Sequence, residues 1–348
     1  MTVIRRYWFV SRFCAILLGL LTAGVTSAAD DYGVFELVHR SDLGYAETLE
    51  AAAAALQASD LTVHASHEVR VPDSAQSAHV FVLTSPAYRS LAAGESPRTV
   101  SAQVLRVAVY TWGDDKTTLI NMANPVAHAM LYYAGSENYD RLLDGSRSAA
   151  AEIRAAMSGL SGEAVQIQQA PTRSEKHYRK FKGDGPARMM AKFRTFEKSQ
   201  LLIGETSEHD VSAVSAIAEG ILADAKSLDV SEPVDWQQLV KIEFSENAVY
   251  FGLSNPFLED SMIRINSRFR SDGKSDAAPF PGTDHVAALP TDVLVIEEGG
   301  QTKLLHYGQM WRMQLYFWDS GYRAFTANVG TPSAIVNSIE ALLAPGFE

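Results

Sequence analysis

Val293-Leu294-Val295-Ile296, Glu298-Gly299-Gly300-Gln301 and Lys303-Leu304-Leu305-His306 place two aliphatic runs on either side of a tight glycine turn. This pattern predicts a β-hairpin. It occurs twice: Val107-Ala108-Val109-Tyr110, Trp112-Gly113-Asp114-Asp115 and Thr117-Thr118-Leu119-Ile120 read the same way. Upstream of each hairpin lies another aliphatic run stopped by proline, Val80-Phe81-Val82-Leu83-Thr84-Ser85-Pro86 and Val249-Tyr250-Phe251-Gly252-Leu253-Ser254-Asn255-Pro256. Self-similarity at such a separation marks two related units, not one continuous fold.

The match extends to the helices. Ser41-Asp42 opens an Ala-rich helix to about Ala58, and Ser207-Glu208 opens another to about Lys226; Ser and Asp supply N-cap chemistry. Both units close with a helix, Ala149 to Met157 and Pro332 to Leu343. The offset widens between the Pro86/Pro256 and Val107/Val293 pairs, which places an insertion in Asn266 to Pro281, rich in Ser, Asp, Gly and Pro. Hairpins set antiparallel neighbours, so the predicted class is α+β: two related domains, each an antiparallel sheet with helices packed on one face. Gln314-Leu315-Tyr316-Phe317-Trp318, a turn at Asp319-Ser320-Gly321 and Tyr322-Arg323-Ala324-Phe325 predict a further hairpin. The organisation expected is a leader over 1–29, a first repeat over 30–160, a basic connector over 161–199 and a second repeat over 200–348.

Phe251-Gly252 and Asn255-Pro256, then Leu289-Pro290 before Val293-Leu294-Val295-Ile296-Glu297, and a strand ending at His306-Tyr307, resemble the bacterial family catalogued as domain of unknown function 302. In that family the Gly and Asn-Pro are contiguous, whereas Leu253-Ser254 separate them here. The first copy is more degenerate, with Ser85-Pro86 for Asn-Pro and Ala102-Gln103-Val104 where Leu-Pro would fall. The resemblance implies a small α+β domain that tends to pair, with no activity attached, and tandem copies would supply that pairing as a pseudo-dimer within one chain.

The 348 residues are 47% apolar and 20% charged, with 23 Gly, 13 Pro and one Cys, which excludes collagen-like, disulfide-framework and wholly disordered classes. Arg5, Arg6 and Arg12 lead into the apolar run Cys14 to Val25 and the small-residue site Thr26-Ser27-Ala28-Ala29. That is the form of a secretory signal peptide, cleaved near Ala28 or Ala29, and it predicts a periplasmic or secreted protein. Cleavage removes the single cysteine and three arginines, taking the formal charge from −11 to −14. Disulfides, thiolate metal sites and cysteine nucleophiles are thereby excluded, and an acidic exported chain is a poor nucleic-acid binder.

Nine Lys or Arg against three acids between Arg173 and Lys198 make that segment basic. Interleaved with Tyr178, Phe181, Met189, Met190, Phe193 and Phe196, it reads either as a peripheral face for anionic lipid or an acidic partner, or as a strip neutralised by the protein's own acidic lobes.

No nucleophile elbow, phosphate loop, dinucleotide fingerprint or HExxH motif occurs, so no catalytic residue is assigned and no cofactor is implied. His64 and His67, three apart on a strand, point to opposite faces and cannot share a metal. His306 with Met310 and Met313 forms a soft N/S set of the kind that binds copper, or else the methionines fill core gaps. Asp114-Asp115 and Glu297-Glu298 read as turn residues. Tyr307, Trp311, Tyr316, Phe317, Trp318, Tyr322 and Phe325 concentrate aromatic surface in nineteen residues. They form either an interdomain cluster or a ligand surface. The expectation is an exported binding or accessory protein whose groove, near Asn255, Pro256, Leu289, Pro290, His306, Tyr307, Trp311 and Trp318, takes an apolar or aromatic small molecule or a partner protein. The metal-handling or enzymatic reading rests on His306, Met310 and Met313.

Overall fold

The computed structural model describes residues 31–72, 74–113, 115–184, 196–225, 235–264, 282–321, 324 and 328–347. Residues 1–29, read as a leader, and 266–281, read as an insertion, lie outside the described residues, as do Met189, Met190, Phe193, Tyr322 and Phe325. Within them, the first half runs β1 (Asp31–Ser41), α1 (Tyr45–Gln57), β2 (Thr62–Val69), β3 (Ala78–Thr84), α2 (Pro86–Ala92), a 3-10 turn at Pro97–Gln103, β4 (Leu105–Trp112), β5 (Thr117–Ala123), α3 (Pro125–Tyr132) and α4 (Tyr139–Ser158). Next come β6 (Gly162–Ser174) and the short helices α5 (Glu175–Tyr178) and α6 (Phe196–Ser199). The second half runs β7 (Gln200–Thr206), α7 (Val211–Asp224), β8 (Gln237–Ser245), β9 (Ala248–Ser254), α8 (Pro256–Arg264), a 3-10 turn at Thr283–Ala288, β10 (Thr291–Glu298), β11 (Gln301–Tyr307), α9 (Gln309–Phe317) and α10 (Thr331–Leu343).

Two antiparallel sheets result, the α+β class expected. Their strand orders are β2-β3-β4-β5-β1-β6 and β8-β9-β10-β11-β7, the same winding in both halves with β6 added to the first. The sequence dictates the local details. Gly299 and Gly300 both take positive φ, 66° and 77°, the turn geometry whose twist matches a two-residue hairpin, and β10 and β11 pair from Val293↔His306 to Glu298↔Gln301 across it. Three helices start with a capping side chain followed by proline. Ser85 Oγ accepts from the Tyr88 amide, Asn124 Oδ1 from Val126, and Asn255 Oδ1 from Leu258, while proline's missing N–H costs nothing at the first helical position.

Gly252 on β9 is required by close approach. A Cβ there would lie 2.4 Å from Pro290 Cγ and 2.6 Å from Val240 Cγ1. Gly252→Ala is therefore expected to destabilise the protein by about 1–3 kcal/mol through overpacking. Urea unfolding measures it, and an unchanged midpoint would show that β8 and the Pro290 loop yield freely.

Two expectations are corrected. Gln314 to Trp318 is not a strand: it lies in α9 and the following 3-10 turn Trp318–Ser320, and the segment counterpart in the first half is α3, also a helix. Gly162–Ser174, read as the start of a connector, is β6, the edge strand of the first sheet. The edge position leaves much of it solvent-facing, which explains why it carries Glu163, Gln166, Gln168 and Gln169 around Val165 and Ile167.

Residues 32–348 form one unit in which the sheets meet through reciprocal contacts. The carbonyl of Arg98, in the first 3-10 turn, accepts from Gln200 Nε2 and Tyr307 Oη of the second half. The equivalent carbonyl of Asp284, in the second turn, accepts from Asn121 Nδ2 of the first. Arg89 on α2 donates to the Glu243 carbonyl on β8 and lies over the Phe244 ring. Glu259, its counterpart on α8, accepts from the Arg70 amide beyond the end of β2 and pairs with His67 on β2 at 2.7 Å.

Candidate functional site

Charge in the middle of an aliphatic strand is the feature around which the interior is arranged. Arg106 on β4 and Asp292 on β10 are 1% and 2% exposed, and Arg106 Nη2 donates to Asp292 Oδ1 at 2.7 Å. Their separation of 186 residues is that of Val107 and Val293, so they occupy the same position in the two halves. Tyr250 Oη donates to the same Oδ1 at 2.7 Å. Arg106 Nη1 donates to Tyr316 Oη at 3.2 Å, which leaves the Tyr316 proton for Nε2 of a neutral His128, 2.9 Å away. Burial pushes the His128 imidazole well below its ordinary range, and the cations Arg106 and Arg312 push it further. Burial alone would lower the Arg106 pKa, but the Asp292 carboxylate raises it well above its ordinary value. Burial likewise holds Tyr250 and Tyr316 protonated. The network is thus one ion pair, two neutral phenols and one neutral imidazole.

Arg312 on α9, the position equivalent to His128, is 6% exposed. Its Nη2 donates to the carbonyls of Ala288 and Pro290, and its guanidinium lies 5.7 Å from the Tyr316 ring centroid. It also lines a small cleft between α8, α9 and α10, about 40 Å³ in volume and partly open to solvent, walled by Leu258, Met262, Met313, Phe317, Pro332 and Ile335, with Ser261, Gln309, Asn328 and Thr331 as polar edges. A concave, mostly apolar site with a few polar groups is the usual form of a small-molecule pocket.

The groove residues expected from sequence are placed around this cleft more than in it. Asn255 is buried as a helix cap, and Pro256 is exposed at the first position of α8. Leu289 and Pro290 are buried, joined by a cis peptide bond, with the Pro290 carbonyl tied to Arg312. Tyr307 and Trp311 stack at 5.8 Å, and Trp311 meets Tyr132 of the first half at 6.3 Å and Phe181 at 5.9 Å. This is an interior cluster joining the halves. Trp318 is half-buried against Met313. His306 is fully buried with Nε2 facing Glu340 at 3.2 Å, and Met310 packs against Met313. Among the described residues no group of three His, Cys, Asp or Glu side chains could hold a metal.

His64 hydrogen-bonds Thr84, and His67 pairs with Glu259. In the basic segment Tyr178, Phe181 and Phe196 are buried, so they face the core and not the outside. Arg173 is neutralised within the chain by Asp184 at 2.6 Å. Glu298, expected to be a turn residue only, is held by Arg98 at 2.6 Å and by Lys303 at 2.8 Å. The residues missed from sequence are Arg106, Asp292, His128 and Arg312. A signal existed for the first two, since each interrupts an aliphatic strand at the same repeat position.

The fold and cleft define an α+β protein of two like-wound sheets around a buried polar axis. No family model and no curated protein matches the chain. A solved structure, the uncharacterized conserved protein DUF302 from Bacillus stearothermophilus, is similar over 35% of this chain and 95% of its own, at 15% identity and a TM-score of 0.30.

Proposed function

We propose that the protein is an exported binding protein, two tandem copies of a domain resembling domain of unknown function 302 fused as a pseudo-dimer, whose second half takes an apolar or aromatic small molecule between α8, α9 and α10. The single observation that carries the reading is the apolar cleft walled by Leu258, Met262, Met313, Phe317, Pro332 and Ile335, a space of about 40 Å³ that opens to solvent. The shared strand order supports the duplication, and the arginine-led apolar run at the N-terminus supports export.

N-phenyl-1-naphthylamine, a neutral apolar fluorophore, is expected to bind the mature protein and to be displaced from the variants Met313→Trp and Ile335→Trp, whose indoles fill the space. Fluorescence titration reads a drop of at least tenfold in affinity. Equal binding by both folded variants and the parent would overturn the cleft as the site.

A further inference from the structure

We infer that the natural occupant of the cleft is an amphipathic anion, an apolar or aromatic body bearing a carboxylate that pairs with Arg312. The inference rests on the cleft being the binding site.

Arg312 is a buried cation without a counter-ion. Among the described residues no carboxylate lies within ion-pair distance of it, and its hydrogen bonds are both from Nη2, to neutral carbonyls. Nε and Nη1 have no hydrogen-bond partner among the described residues. A guanidinium removed from water without a matching charge is costly, and natural interiors pair such groups. The neighbouring carboxylates are committed elsewhere. Asp292 accepts from Arg106 and Tyr250, and Glu259 is held by His67, Ser254 and the Arg70 amide. His128 is held neutral, so it adds no charge, and the sum over Arg106, Asp292, His128 and Arg312 is one uncompensated positive charge.

The missing anion has a place to come from, because Arg312 lines the cleft together with the apolar Leu258, Met262, Phe317 and Ile335. A planar fork with free donors matches a carboxylate, and charge-assisted bonds in a desolvated site are among the strong ones. The apolar walls require that the rest of the molecule be hydrocarbon-like.

The test is a matched pair of probes of one shape, naphthalene-2-carboxylate and naphthalene-2-carboxamide, titrated into the mature protein by calorimetry at pH 7.5 and low salt. The carboxylate is expected to bind at least tenfold more tightly than the amide. Arg312→Met is expected to abolish that preference while retaining the amide, and Arg312→Lys to keep part of it. Equal binding of the two probes to the unmodified protein would overturn the anionic ligand while leaving the cleft reading intact, and this comparison needs no variant to fold. Absence of binding by both probes would overturn the cleft reading and the anion with it. Retention of the carboxylate preference in folded Arg312→Met would assign the anion to another cation and overturn the role of Arg312.

Discussion

Arg106→Met is expected to cost about 3–5 kcal/mol of stability, because it leaves the Asp292 carboxylate buried with a single phenol as its partner. Methionine fills much of the same volume, so the loss reports charge more than cavity. Replacing the whole cluster is a different experiment. In Arg106→Met/Asp292→Leu/Tyr250→Phe no buried charge and no orphaned acceptor remains at Asp292, and most of the loss is expected to return, since apolar substitutes for buried ion pairs are often neutral or better. The exchange Arg106→Asp/Asp292→Arg keeps the pair at the same two positions but turns Tyr250 toward a cation and Tyr316 toward an anion. It should recover only part of the single-variant loss. Urea unfolding of the set measures these steps; a single-variant cost below about 1 kcal/mol would mean that water or another cation reaches Asp292.

Acidification is expected to weaken the fold from about pH 6.5 downward. His128 takes up its proton far below the ordinary value in the folded protein, chiefly through burial and then through Arg106 and Arg312. The unfolded chain binds that proton near pH 6.5, so stability is fully present above this value and falls with pH beneath it. Each histidine that stays neutral in the fold contributes a slope of about 1.4 kcal/mol per pH unit. His79, pushed down to about 4 by burial and then by His67, acts in the same direction between about 6.5 and 4. Glu298, brought down to about 2 mainly by its hydrogen bond from Arg98, extends the trend below its ordinary value of 4.5, with a small effect because it is partly exposed. Unfolding free energies measured across pH 7 to 5 give the proton count. His128→Gln, which still offers Tyr316 an acceptor, should flatten the slope by about one proton, and an unchanged slope would remove His128 as its source.

The hairpins could be read from sequence because aliphatic strands closed by Gly299-Gly300 have few competing structures. The strand stops at Pro86 and Pro256 and the likeness of the two halves followed from proline's missing donor and from repeat spacing. Gln314 to Trp318 failed for a physical reason: a short run of large apolar residues has the same appearance whether it is a buried helix or a buried strand. Its first-half counterpart, beginning at Asn124-Pro125, carried the cap that would have decided the matter. β6 was obscured by the cations that begin at Arg173, which drew attention to charge and away from the alternation of Val165 and Ile167. The aromatic residues divide between uses: Tyr307 and Trp311 pack inside, while Phe317 borders the cleft. Arg312 had no sequence signal, because its significance lies in which carboxylates are already engaged, and that is a property of the folded neighbourhood alone.

Arg106 and Asp292 stand at equivalent positions of two like-wound halves, and their charges are opposite. In a pair of identical chains the same two positions would set arginine against arginine or aspartate against aspartate, with like charges sealed from water. Two halves carried on one chain are under no such constraint, so opposite charges can meet there, and each half finds its partner at one-to-one stoichiometry by translation itself.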